Sequence, residues 1–162
     1  VLYVSLHQFP LYPGSGRLAE VGVGRGEGFT VNLPLPEGAG DGGVLDAFER
    51  VVEPVVRHFA PQALLVSAGF DGHLRDPLAG WRLSDDGHRD IARRVVRLAR
   101  DLCPGRLVVG LEGGYDLEAL TNGVAALLEE MAGLPGPALS PHPSHTPLVD
   151  QAVAHHRRHW PL

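Results

Sequence analysis

ALLVSAGFDGHLRDPLAG, residues 63–80, joins a short apolar run to a loop carrying an aspartate, a histidine and a second aspartate. The run ALLVSAG (63–69) is of the kind that parallel sheets bury on both faces. A strand buried in that way would deliver Asp71 at its tip, where a lone carboxylate is costly unless something positive meets it. A bound cation is the readiest explanation. A blander one stays open, because an aspartate after a strand also forms turns and caps helices.

Downstream, Ser84 followed by Asp85 and Asp86 predicts a helix start, with the two acids in the favourable first turn. Its inner stripe reads Ile91, Val95, Leu98 and Leu102. RLVVGLE (106–112) predicts a second apolar strand. After it, Asp116 caps a helix whose inner face reads Leu117, Leu120, Val124, Leu127 or Leu128, and Met131. Gly133 and Pro135 end that helix.

Upstream, VLYVSL (1–6) and FTVNLPL (29–35) read as extended, with Pro34 keeping the second short or at an edge. Val44, Phe48, Val51, Val55 and Phe59 fall at helical spacing, with a kink expected at Pro54. Beyond residue 135 the composition turns to Pro, Ser and His. Residues 136–162 therefore read as a linker and a terminal helix, Leu148 to His159, packing back through Val149, Val153 and Trp160 onto a main unit of residues 1–135. Alternating helices and strands predict an α/β fold with a mainly parallel sheet.

Ligands of open parallel sheets bind outside the carboxyl ends of the strands. If the two apolar strands are neighbours, their tips lie about 5 Å apart, and Asp71 and Tyr115 overlook one pocket. A cation on the first and a phenol donor on the second would together polarise a carbonyl. Gly113 and Gly114 would let backbone approach the ligand closely. GGY reads equally well as a plain tight turn with an aromatic packed beside it.

Other features exclude more than they assign. A formal net charge of −5 does not recommend a nucleic acid partner. No apolar run is long enough to span a bilayer. The single cysteine, Cys103, cannot form an internal disulfide and reads as a small buried hydrophobe in a reducing, cytoplasmic setting. The glycines of VGVGRGEG (21–28) neither follow GxGxxG nor open a helix. His142, His145, His155, His156 and His159 read as a solvated basic tail rather than metal ligands.

SAGFDGH, DPLAGWRLSDDG and LEGGYDLEAL closely resemble the histone deacetylase family, whose superfamily takes in acetoin-utilisation proteins and acetylpolyamine amidohydrolases. VLYVSLHQFPLYPGSG and VNLPLPEGAGD fit the same family in the same order. The resemblance covers roughly Val1 to Met131 and is closest in wording to the bacterial and class II branches. It implies an α/β, arginase/deacetylase-like three-layer fold, incomplete on its amino-terminal side. It also implies a zinc-dependent deacetylase acting on an acetylated small molecule or a protein lysine.

Carried over residue by residue, the resemblance makes Asp71 a zinc ligand and Tyr115 the stabiliser of the oxyanion, with Gly113 and Gly114 beside the substrate. Tyr12, where the family usually has Phe, lines the acetyl-lysine channel, and Leu78 stands at its mouth. Ser5 and Leu6 match part of a potassium site and Phe29 part of a second. The family's Asp-x-His zinc ligands and paired catalytic histidines belong upstream of VLYVSLH and are not in this chain, where HH occurs only at His155–His156. The chain opens on Val1 as a strand in progress, and its one methionine is Met131, so a fragment is expected. Two readings follow: part of a zinc amidohydrolase, or a non-catalytic piece inactive alone. A phosphate-binding domain ranks last, because LEGGYD lacks a basic residue and Asp116 would repel phosphate.

Overall fold

A computed structural model describes residues 1–138 and 145–162. His142 lies outside the described residues. The strands are β1 (Tyr3–Gln8), β2 (Thr30–Leu35), β3 (Leu64–Ala68) and β4 (Leu107–Leu111). The helices are α1 (Asp41–Ala47), α2 (Glu53–Phe59), α3 (Asp85–Leu102), α4 (Leu117–Ala132) and α5 (Pro147–His156). Among the described residues, no helix is long and apolar enough to cross a membrane.

All strand pairing is parallel, but it falls into two separate pairs rather than one sheet. β1 runs beside β2 from Tyr3↔Thr30 to Gln8↔Leu35, and β3 beside β4 from Leu64↔Leu107 to Ala68↔Leu111. The expectation that β3 is buried on both faces is corrected here. Leu65 and Val108 are cross-strand partners, yet they remain 80% and 62% exposed. Side chains alternate across a strand. Leu64 packs on the core and Ala68 faces α4, while the opposite face of the pair has no helix over it among the described residues.

The principal core gathers Val31 and Leu33 of β2, Val44 of α1, Val55 of α2, Leu98 of α3 and Val149 of α5. The helix predicted over 44–59 is present but interrupted. α1 widens into a π-type turn at Phe48–Val52 before α2 begins, with Pro54 in the first turn of α2. Pro54 has no N–H to give the preceding turn, and the widened turn falls where that backbone bond is lost.

α3 starts where expected. The Ser84 hydroxyl accepts the Gly87 N–H at 3.1 Å, and Asp41 in turn accepts both the Ser84 N–H and its O–H, at 2.8 and 2.6 Å. Its buried side is wider than the predicted stripe, because Ala92, Val96 and Ala99 are buried as well as Leu98. α3 packs against α4, with Arg89 reaching Glu129 at 2.6 Å and Arg93 reaching Glu130 at 2.9 Å.

The inner face predicted for α4 holds for Leu120, Val124, Leu127 and Met131, which lie toward Phe70 and the β3–β4 pair, but not for Leu117. Its buried residues are Ala119, Gly123 and Ala126, while Leu117 is 79% exposed and Leu128 is also open. Both stripes face the protein, with Val124, Leu127, Leu128 and Met131 lining a cavity against Ala68, Val109 and Leu111 of the β3–β4 pair.

α5 is seated firmly. The Asp46 carboxylate accepts the Thr146 N–H at 2.7 Å and its O–H at 2.9 Å, and Arg50 joins Asp150 at 2.8 Å. Trp160 donates its indole N–H to the Gly28 carbonyl at 2.8 Å. His156 is corrected from a solvated tail residue. It is 1% exposed, with Nε2 placed 3.0 Å from the Asn32 carbonyl oxygen, and burial holds its pKa below the ordinary histidine value. Cys103 is fully buried.

Candidate active site

β3 and β4 end side by side. Beyond the ladder, Glu112 donates its N–H to the Ala68 carbonyl at 3.0 Å, and Phe70 donates to the Gly113 carbonyl at 2.8 Å. Asp71 and Tyr115 therefore leave from adjacent tips on one rim. Asp71 is half-buried, and its carboxylate takes part in no hydrogen bond among the described residues. It lies against Gly113, where a Cβ would stand 3.0 Å from the carboxyl carbon and 3.1 and 3.2 Å from its oxygens. Only glycine permits this approach without displacing the acid.

Tyr115 is 56% exposed, and no hydrogen bond to its hydroxyl occurs among the described residues. Its main chain is fixed instead, because the N–H donates to Asp76 Oδ2 at 2.9 Å. Gly114, with φ of +135°, occupies a backbone region that side chains avoid, and a Cβ there would crowd Phe70 and Leu120. Asp116 then caps α4 by accepting the Ala119 N–H at 2.8 Å. That bond, helped by Arg75, holds its carboxyl below the usual carboxylate range.

His73, the histidine of the FDGH stretch, is a buried packing group. Its Nδ1 accepts the Arg75 N–H at 3.2 Å, and its ring lies 5.7 Å from that of His88, which stacks on Phe70 at 5.6 Å. Burial pushes the His88 pKa down, so this imidazole is held neutral near pH 7.

The two strand pairs share the rim. Gly80 donates its N–H to Gln8 Oε1 at the end of β1, 2.7 Å away, and its carbonyl accepts the Gly38 N–H at 2.8 Å just beyond β2. Leu78 is exposed on this loop, with its N–H held by Asp76 Oδ1 at 2.9 Å. Tyr12, in the loop after β1, is 95% exposed. Ser5 and Leu6 lie within β1, where Ser5 Oγ is 2.9 Å from His7 Nδ1. The Phe29 carbonyl accepts the Tyr3 N–H at 2.9 Å, and its ring packs edge-on against Phe59 and Trp160.

Gln8 and Asp76 are the rim residues that reading the sequence missed. DPLA carries the signal of an Asx turn, but nothing in the chain indicates that the other oxygen of Asp76 reaches Tyr115. For a divalent cation, Asp71 fits as one ligand, with its oxygens unspent. Among the described residues no three His, Cys, Asp or Glu side chains group to hold a metal ion, so the set is not complete.

Comparison with known proteins bears on the whole arrangement. The profile of the histone deacetylase domain matches residues 1–131. A probable deacetylase of Archaeoglobus fulgidus is 47% identical over 134 residues, covering 82% of this chain and 37% of the relative. Histone deacetylase 14, chloroplastic, of Arabidopsis thaliana is 42% identical over 133 residues, covering 82% and 31%. The crystal structure of the HDA15 HD domain superposes with a TM-score of 0.83 at 33% identity, over 99% of this chain and 44% of that one. The histone deacetylase Clr3 gives 0.82 at 33% identity, over 96% and 26%. The chain thus spans about a third of the length of these curated relatives.

Proposed function

We propose, since this chain belongs to the histone deacetylase family, that the whole protein hydrolyses an acetyl amide of the acetyl-lysine or acetylpolyamine type. Asp71 serves as one zinc ligand, and Tyr115 donates to the oxygen that becomes negative. The observation that carries the reading is the Asp71 carboxylate: unspent on hydrogen bonds among the described residues, set against a glycine, and beside the tip that bears Tyr115.

Zinc, when bound, supplies a Lewis acid that polarises the acetyl carbonyl and activates a water. Asp71 offers it a carboxylate whose oxygens have no competing donor among the described residues. The Tyr115 O–H donates to the carbonyl oxygen as charge develops there, a bond stronger in the transition state than in the ground state. Gly113 and Gly114 leave room for the acetyl group beside that bond. Tyr12 and Leu78 line the approach, the Tyr12 hydroxyl making one wall more polar than the family's usual Phe would. The proton transfers fall to histidines that this chain does not carry. Ser5, Leu6 and Phe29 belong to structural potassium sites.

In the full-length protein, Tyr115→Phe should lower kcat on an acetyl-lysine peptide by about 10²-fold or more while zinc is retained. Asp71→Ala should lose zinc as well as turnover. Near-intact turnover in Tyr115→Phe would sink the donor role.

A second reading concerns the chain by itself. Catalytic zinc normally takes three protein ligands, and no such group occurs among the described residues. The isolated 162-residue chain should be inactive and take up zinc weakly. Micromolar or tighter uptake in a zinc titration argues against this.

A further inference from the structure

We infer that Asp76 is a positioning residue for Tyr115: its carboxylate clasps the loop after β3 to the loop after β4 and thereby sets where the phenol stands. The inference rests on the proposed donor role of Tyr115.

The carboxylate is divided between two loops. Oδ1 accepts the N–H groups of Leu78 and Ala79 at 2.9 and 3.2 Å, closing its own turn. Oδ2 crosses to the Tyr115 N–H at 2.9 Å, 39 positions away in sequence. Bonds from N–H groups to an ionised acceptor are stronger than neutral ones. The neighbouring Arg75 adds a second link, with Nε 3.4 Å from Asp116 Oδ1 and a terminal nitrogen 3.6 Å from Glu118.

Tyr115 needs this hold. No hydrogen bond to its hydroxyl occurs among the described residues, and most of the residue faces outward. The phenol's place is therefore decided by the backbone from 113 to 116. Upstream, the Gly113 carbonyl is fixed by Phe70, and downstream, Asp116 is fixed as a helix cap. Between them lies Gly114, the most permissive residue in the segment. The Asp76 bond is what restrains the backbone after that glycine. Without it the Tyr115 amide loses its partner and the phenol samples positions away from the reacting oxygen. A displacement on the order of 1 Å is enough to cost up to about 10²-fold in rate.

The test uses the full-length protein with zinc bound and an acetyl-lysine peptide, in a cycle of Asp76→Ala, Tyr115→Phe and the double variant. Asp76→Ala should lower kcat by about 10- to 10²-fold, with KM within about twofold and zinc content unchanged. In the Tyr115→Phe background the same change should cost less than about twofold more, because residues that act as a unit are not additive. Asp76→Asn keeps the side-chain volume and one acceptor oxygen and should fall between parent and alanine. A full multiplicative loss in both backgrounds, a change confined to KM, or lost zinc would overturn the assignment. Should Asp76→Ala fail to fold, Asp76→Asn carries the same cycle, and unfolding of both variants would show a purely structural role and overturn it as well. If Tyr115→Phe alone leaves kcat intact, the proposed chemistry fails, an outcome distinct from any failure of the clasp.

Discussion

Gly113 controls how Asp71 stands, because the carboxylate rests where a side chain on residue 113 would begin. Gly113→Ala should therefore displace the acid more than it unfolds the chain. In the full-length protein we expect weakened zinc retention and at least about 10-fold lower turnover, with a melting temperature close to the parent's. Metal analysis alongside kinetics checks this, and a variant that unfolds before it loses zinc contradicts it. A second residue-scale effect is electrostatic. Burial holds His88 and His156 below the ordinary histidine pKa. The unfolded chain takes up protons on these rings below about pH 6.5, whereas the folded one does so only at lower pH. Their share of stability is full above that pH and declines as the pH falls beneath it. Urea midpoints should be lower near pH 5.5 than near pH 7.5. Asp71 and Tyr115 were legible as strand-tip residues because each follows an apolar run directly in sequence. The reach of Asp76 to Tyr115 was not, since it depends on how two loops lie in space.

Among the elements, α4 is the most instructive. Its ends were readable from Asp116 and Gly133, which act through local backbone geometry: an N-cap acceptor and a left-handed residue with φ of +71°. Its orientation was readable only in part. The periodicity of Leu117, Leu120, Val124 and Leu128 marks an apolar stripe, but periodicity does not say which neighbour covers it. In the fold, Val124, Leu127, Leu128 and Met131 stand against the β3–β4 pair, while Ala119, Gly123 and Ala126 form a second buried side, and Phe70 lies where a Gly123 side chain would project. Gly123→Ala should overpack that contact and destabilise by about 1–3 kcal/mol, outweighing the better helix propensity of alanine. Denaturant titration would read the change, and a neutral or stabilising result would show that Phe70 moves aside freely. The interrupted helix over residues 41–59 was readable in its apolar spacing. Its π-type turn was not, because two ways of absorbing a proline share one sequence.

At the scale of the molecule, two parallel strand pairs share one rim through Gln8 and Gly80, and the chain as a whole superposes on solved structures at TM-scores above 0.8. The parallel pairing was legible from apolar runs alternating with helices. The open face carrying Leu65 and Val108 was not, since a hydrophobic run records what a strand can bury rather than what lies over it. The seating of α5 has a consequence of its own. Asp46 grips Thr146, Arg50 grips Asp150 and Trp160 reaches Gly28, so the last helix is attached to distant parts of the chain through side chains as well as through its own peptide link. A chain produced as two pieces, residues 1–138 and 139–162, should therefore act as a split protein. The two pieces should co-elute on gel filtration, part only in denaturant, and reassemble when it is diluted away.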